Sequence, residues 1–210
     1  DAGFAGVMKM RTSNGMKVKG YHGHFVTQEA STIDLAGLRP TSTFTVDLGH
    51  DGRIDPKGYA YLQCALLYTS RDGRRKVRVH TMKLTVANTY AALFRNADLE
   101  AEFQAFCSHT IHEAVNKGSK AARDWSHARL MDLLVAYRRH CSSSSHSGQL
   151  LLPEQLKLLP VYLLSLWKSD ALVPGATVQL DDRLQSMFEL LTMPQQRLIW
   201  FMYPRLFAVQ

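Results

Sequence analysis

Four cations stand near the start of the chain in two closely spaced pairs, Lys9 with Arg11 and Lys17 with Lys19. A spacing of two places both members of a pair on one face of a strand, because side chains alternate between faces. Two like charges held side by side suit an anion: a carboxylate, a phosphate or an anionic lipid headgroup. A second basic group, Arg71, Arg74, Arg75, Lys76 and Arg78, crowds around Asp72-Gly73. Part of this group is expected to pair with Asp72 or with other acids of the fold. Lys17, Lys19, Arg74 and Arg75 are candidates for contact with membrane or an acidic partner.

Other chemistry finds less support. His22 and His24 flank Gly23 and could face one side of a strand, but no third metal ligand lies near them in sequence. Cys107, His109, His112 and Glu113 fall on one predicted helix, where Cys107 and His109 do not share a face and His112 is three on from His109, so half-buried and solvated helix positions are the plainer reading. No G-x-S-x-G, H-E-x-x-H or phosphate-binding Gly-Lys loop occurs, and the chain is not expected to be an enzyme. Cys64, Cys107 and Cys141 are odd in number and far apart, which argues against a disulfide framework or structural zinc and fits a reducing cytosol. Nucleic acid is disfavoured, since no aromatic–basic interleaving marks a stacking platform.

Positioning the cations falls to strands. Val7–Thr12 and Met16–Phe25 flank Ser13-Asn14-Gly15 and predict a hairpin. A two-residue loop would set Met10 opposite Lys19. A three-residue loop with Gly15 left-handed sets Met10 opposite Val18 and is preferred, because it keeps apolar with apolar. In that register Lys9, Arg11, Lys17 and Lys19 share a face. Lys9 then lies across from Lys19 and Arg11 across from Lys17, pairs that need water or an anion between them. Thr43–Leu48 and the long, central Tyr59–Thr69 follow as strands. Asp72-Gly73 turns the chain into Arg74–Val86, whose apolar phase changes from Val77 and Val79 to Met82 and Leu84, predicting a bulge near His80–Thr81.

From Asn88 the period becomes helical. Leu99, Phe103, Phe106 and Thr110 form one stripe, with Cys107, Ile111 and Ala114 beside it, and Leu130, Leu133, Leu134 and Tyr137 form another. Ser142–Gly148 reads as a polar loop. Pro153 is expected to open a helix and Pro160 to kink or split it. Asp181 or Asp182 is expected to cap the next helix, and Pro194 to start a last one ending near Tyr203-Pro204.

Charge divides the chain at the same place as period. Residues 1–87 hold 13 Lys and Arg against 7 Asp and Glu, a net of +6, whereas residues 88–210 hold 12 against 11. The fold class is therefore α+β in two domains: an antiparallel β-sandwich over residues 1–87 and an all-α domain over 88–205. The apolar stretch Leu150–Trp167 contains Glu154, Lys157 and two prolines, so it reads as core helix and not as a membrane span. The opening DAGFAGVMKM has no signal-peptide character, and its first residue, Asp1, suits a piece of a longer chain.

Several segments, in order, resemble the cargo-adaptor subunits of the COPII vesicle coat, the Sec24 family. RRKVRVHTMKLTV is similar to their R-R-I-R-V-H-T-L stretch, and LFRNADLEAEF to the start of their helical domain. LLPEQLKLLPVYLLSLWKSDAL resembles their leucine-rich segment, YPRLF the end of that domain, and YHGHF an aromatic-Gly-Asn-Phe stretch. The sister GTPase-activating subunit shares this architecture but fits HTMKLTV and YPRLF less well.

The resemblance implies a non-enzymatic adaptor or scaffold, peripheral on the cytosolic side of the endoplasmic reticulum membrane and on vesicles. Its partners would be the sister subunit, the cytosolic tails of membrane cargo and the membrane surface. It implies that a zinc finger, a trunk domain and a gelsolin-like domain lie outside this chain, with residues 206–210 starting the linker to the last. No cofactor is implied within the chain, and the sandwich would borrow strands from before the trunk. It also implies a pocket for acidic sorting signals made by Lys9, Arg11 and Leu67. Lys9 replaces the family's usual arginine and loses the bidentate fork. A scaffold that touches anionic lipid without reading peptides is the alternative.

Overall fold

The computed structural model describes residues 2–29, 32–142, 148–175 and 177–206. Seven strands precede six helices there: β1 Gly3–Thr12, β2 Gly15–His22, β3 Val26–Glu29, β4 Thr32–Leu38, β5 Thr45–Asp51, β6 Tyr59–Ser70 and β7 Arg75–Thr85, then α1 Tyr90–Arg95, α2 Leu99–Lys117, α3 Ser119–Cys141, α4 Leu159–Lys168, α5 Leu180–Thr192 and α6 Gln195–Leu206. The chain divides into two units, Asp1–Ala87 and Asn88–Gln210.

All strand pairings in the first unit are antiparallel. Five strands form one sheet in the order β3-β4-β1-β6-β7, and β2 pairs with β5 in a second. Met8, Ile33, Leu35, Leu38 and Tyr68 are buried on the inner face of the larger sheet, and Tyr21, Phe25 and Phe44 pack against them. Side-chain alternation thus leaves Val7, Lys9 and Arg11 on the outer face.

The predicted hairpin between β1 and β2 does not exist. Both edges of β1 are taken, by β4 and β6, so β2 crosses into the other layer and pairs with β5. The link between them is a tight corner: Met16 N donates to Ser13 O at 3.3 Å, Thr12 Oγ1 donates to Met16 O at 2.7 Å, and Gly15 has φ 87°. Lys9 therefore does not oppose Lys19, nor Arg11 Lys17. Lys9 is paired with Ala65 and Thr32, Arg11 with Gln63, and Lys17 with Gly49. Strands β3 and β4 lie in a stretch to which the sequence reading assigns no element, although Ile33 and Leu35 do alternate.

The Asp72-Gly73 turn is a hairpin, with Ser70 N donating to Arg74 O and Gly73 N to Ser70 O, both at 2.9 Å. Beyond it β6 and β7 pair without interruption from Thr69↔Arg75 to Tyr59↔Thr85, so the bulge expected near His80–Thr81 is absent. The change of apolar phase has another cause. β7 is an edge strand exposed along nearly its whole length, so neither face forces its pattern. Register shifts lie in other strands: in β1 between Phe4 and Val7, in β2 between Val18 and Gly20, and in β3 between Thr27 and Glu29.

In the second unit the period-3.6 stripes become helix faces. Phe103, Cys107, Ile111, Leu159, Leu163, Leu166, Leu190, Leu198 and Met202 are among its buried residues. Trp167 Nε1 donates to Ser126 Oγ at 2.9 Å, and Arg123 Nη1 donates to Trp167 O at 3.0 Å, so these groups at the core edge are satisfied. Pro153 caps a 3-10 turn, Glu154–Leu156, and a separate helix, α4, begins at Leu159 with Pro160 in its first turn, so the expected helix is split there and not kinked. The N-cap of α5 is Gln179, with Asp181 and Asp182 in its first turn, where a carboxylate also favours the helix dipole. Helix α6 continues past Tyr203 to Leu206. In the polar stretch Ser142–Gly148, residues 143–147 lie outside the described residues, as do 207–210 of the expected linker.

Asp98 caps α2, its side chain accepting from Ala101 N at 3.0 Å. Asp98→Ala should cost about 1 kcal/mol, read as a lower urea midpoint, whereas Asp98→Asn should cost far less.

Candidate functional site

The register of β1 against β6 builds the outer face row by row. Val7 lies opposite Leu67, Lys9 opposite Ala65 and Arg11 opposite Gln63. Paired residues share a face, so the outer surface carries all six. On the far side of β6, Val77 opposes Leu67, Val79 opposes Ala65 and Thr81 opposes Gln63. One side of Leu67 thus meets Val7 and the other Val77. Along β1 the order is apolar, cation, cation, at about 6.8 Å per step of two residues. Lys9 is diagonal to Leu67, about 7–8 Å away.

Lys9 and Arg11 are exposed and Leu67 is half-buried. No carboxylate among the described residues ion-pairs with Lys9 or Arg11. Val77 is 66% and Val79 52% exposed. An exposed apolar shelf beside two available cations can hold a ligand that carries both a carboxylate and an aliphatic group. A highly hydrated anion would use only the cations.

The other predicted cations lie elsewhere. Lys17 and Lys19 are on β2, in the second sheet. Lys17 pairs with Asp51 at 3.3 Å, and the stem of Lys19 lies over Gly49, where a Cβ would come within 2.1 Å of its Cε. They do not join Lys9 and Arg11 in one site. Arg74 Nε and Lys76 Nζ both approach Asp72, each at 3.7 Å, as sequence reading anticipates for part of this cluster. The Asp72 carboxylate is held below its usual range, chiefly by the Ser70 hydroxyl and then by Lys76. Arg75 Nη1 donates to Ala5 O at 2.7 Å and to Thr69 Oγ1 at 3.0 Å.

Strand β2 ends at His22, so His24 is not a strand neighbour on its face; His22 Nε2 lies 3.0 Å from Asp47 Oδ2. Cys107 is fully buried, and burial pushes its thiol up to about 12, leaving it protonated at neutral pH. His109 stacks on Trp125 and Glu113 pairs with Lys117 at 2.8 Å. Val7, Val77 and Val79 were missed by the sequence reading. Counting outward from the Asp72-Gly73 turn would have found the two on β7, since a hairpin's turn fixes its register.

Known proteins share this architecture. The family model for the Sec23/Sec24 beta-sandwich domain matches residues 3–87, and that for the Sec23/Sec24 helical domain matches residues 98–200. Human protein transport protein Sec24C is 39% identical over 97% of this chain, which covers 19% of that protein. Arabidopsis thaliana protein transport protein SEC24 B is 33% identical over 99% of the chain, again covering 19% of the relative. The crystal structure of the human COPII-coat protein Sec24c superposes with a TM-score of 0.89 at 37% identity, covering 96% of this chain and 26% of that one. The chain therefore spans about one fifth of the length of the curated relatives it matches. Matched in order by both domain models and by Sec24 proteins of animals and plants, this chain belongs to the Sec23/Sec24 family, on its Sec24 side, and carries that family's β-sandwich and helical domains.

Proposed function

We propose that this chain is the part of a COPII coat subunit that reads acidic sorting signals on the cytosolic tails of membrane cargo. The reading surface is the outer face of β1 and β6, and the helical unit is scaffold. The observation that carries this reading is the placement of Lys9 and Arg11 on one open face with Leu67. The cations meet carboxylates, and Leu67, flanked by Val7 and Val77, takes an aliphatic side chain of the signal. Nothing in the reading needs a cofactor, a nucleophile or a nucleic acid. The coat partner is a sister subunit of the Sec23 type. The place of action is the cytosolic surface of the endoplasmic reticulum, with the chain docked on the membrane and not threaded through it. Among the described residues no helix is long and apolar enough to cross a bilayer.

A labelled peptide with two acidic residues and a leucine, titrated into the full subunit, tests this. Affinity should fall with salt, because exposed ion pairs are screened. Leu67→Ala should weaken it about tenfold, the equivalent of losing ~1.4 kcal/mol of apolar burial. Binding indifferent to both changes would rule the site out.

One observation favours lipid contact as a second reading. Tyr59 and Tyr61 are exposed on the same outer face, and Lys83 Nζ lies 3.5 Å from the Tyr59 ring centroid. Aromatic bodies with cationic tips suit a headgroup layer. Flotation of the full subunit with anionic vesicles separates the readings: lipid contact fades with salt whether or not Leu67 is present.

A further inference from the structure

Resting on the cargo-signal reading, we propose that Arg75 is a positioning residue: it holds the bulge at Ala5 and so sets the phase in which β1 presents Lys9 and Arg11 on the open face.

The phase of β1 is not continuous. Between the pairs Phe4↔Thr69 and Val7↔Leu67, β1 takes three steps where β6 takes two. Gly3 faces inward, since a Cβ there would lie 2.6 Å from Tyr68 Cδ2. Gly6 also faces inward, since its Cβ would meet Leu38 Cδ1 at 3.1 Å and Leu35 Cβ at 3.2 Å. Residues three apart on a regular strand lie on opposite faces. One residue has therefore been absorbed between them, and Ala5 carries the irregularity, with φ 49° in the left-handed region. Strand β4 follows β1 through this stretch with unbroken register, Phe4↔Gly37, Gly6↔Leu35 and Val7↔Asp34. The mismatch is thus resolved against β6.

Arg75 stands where that mismatch is resolved. It is paired with Thr69, which is itself paired with Phe4. From there its Nη1 donates to the Ala5 carbonyl and to Thr69 Oγ1. One guanidinium on β7 thus reaches across β6 and fastens the bulged residue of β1. A bulge leaves a backbone group out of the ladder, and Arg75 supplies the missing partner. The consequence reaches the site because a slip of one residue moves every side chain to the other face. Without the absorbed residue, a β1 anchored at Gly3 would send Lys9 and Arg11 toward Tyr21, Phe25 and Phe44. Arg75 is accordingly occupied within the fold, which accounts for a cation that sequence alone offers as a membrane or acidic-partner contact.

The test uses the full coat subunit and a labelled peptide carrying two acidic residues. Arg75→Gln should weaken binding about 2- to 10-fold, the range of one net hydrogen bond. Adding Ala5→Gly should restore it, because glycine holds a left-handed φ without the Cβ penalty and needs no clamp. Failure of Ala5→Gly to rescue would mean that Arg75 meets the ligand directly, and would overturn the proposal. Unchanged binding in Arg75→Gln, with Lys9→Glu abolishing it, would overturn the proposal and leave the site reading standing. Unchanged binding in both variants would sink the site reading itself. Should Arg75→Gln not fold, Arg75→Lys takes its place with amide exchange over residues 5–8 as readout. Faster exchange with weaker binding supports the clamp, and unaltered exchange overturns it.

Discussion

The double reversal Lys9→Glu, Arg11→Glu should reduce packaging of acidic-signal cargo into coated vesicles by about a hundredfold. A hydrogen bond to a charged group contributes about 1.5–3 kcal/mol, so losing two such partners is already worth two decades. Reversal adds repulsion between like charges to that loss. The fold should survive, because both side chains are exposed and no described carboxylate ion-pairs with them. Substitutions at such positions usually stay within about 0.5 kcal/mol. A thermal melt superimposable on wild type, beside a collapsed packaging signal, is the expected pair of results. Cargo lacking an acidic signal should load normally. If every acidic-signal cargo is packaged at the wild-type level, the outer face of β1 is not where signals are read. Lys9→Arg should act in the opposite direction and tighten binding, since the guanidinium fork can engage a carboxylate through two bonds.

What sequence could and could not show follows from how locally each feature is determined. The hairpin at Asp72-Gly73 is legible because turn chemistry fixes register within a few residues, and from it follows the pairing of Leu67 with Val77. The helix stripes are legible for the same reason: Phe103, Cys107 and Ile111 recur at the helix period and are buried together. The partner of β1 is not local. Ser13-Asn14-Gly15 has hairpin chemistry, yet it makes a corner between two sheets, because β1 already lies between β4 and β6, and β6 begins 44 positions beyond Gly15. The four cations of the supposed hairpin thereby separate into two pairs on different sheets. Lys9 and Arg11 keep their common face because period 2 alone dictates it, and Lys17 and Lys19 are lost because their placement depended on the pairing. The bulge was misassigned on the same grounds. A change of apolar phase in β7 looked like a backbone irregularity, but an exposed edge strand can change phase freely. The irregularity at Ala5 is flanked by Gly3 and Gly6, and glycines inside a strand pattern are the local sign of it that the sequence holds.

The largest effect on stability is expected in the helical unit, at Leu163. This side chain is fully buried in α4 with Leu159 and Leu166, each about one helical turn away on the same apolar face, and Phe103 and Tyr162 meet with ring centroids 5.2 Å apart. Leu163→Ala removes three methyl or methylene equivalents and leaves a cavity that helices anchored on several sides can close only in part. The cost should be about 3 kcal/mol, within the 2–5 kcal/mol range for such truncations. Leu163→Met, which keeps the volume, should cost less than about 1.5 kcal/mol. Urea unfolding read by tryptophan fluorescence measures this cleanly, because Trp125, Trp167 and Trp200 are the three tryptophans of the chain and all lie in the helical unit. With a slope of about 2 kcal/mol/M, the midpoint should fall by roughly 1.5 M. The affinity of the folded fraction for an acidic peptide should stay unchanged, since Lys9, Arg11 and Leu67 belong to the other unit. A small shift in midpoint would show that α4 is not a keystone of its core. A large loss of peptide affinity per folded molecule would show that the helical unit does more than support.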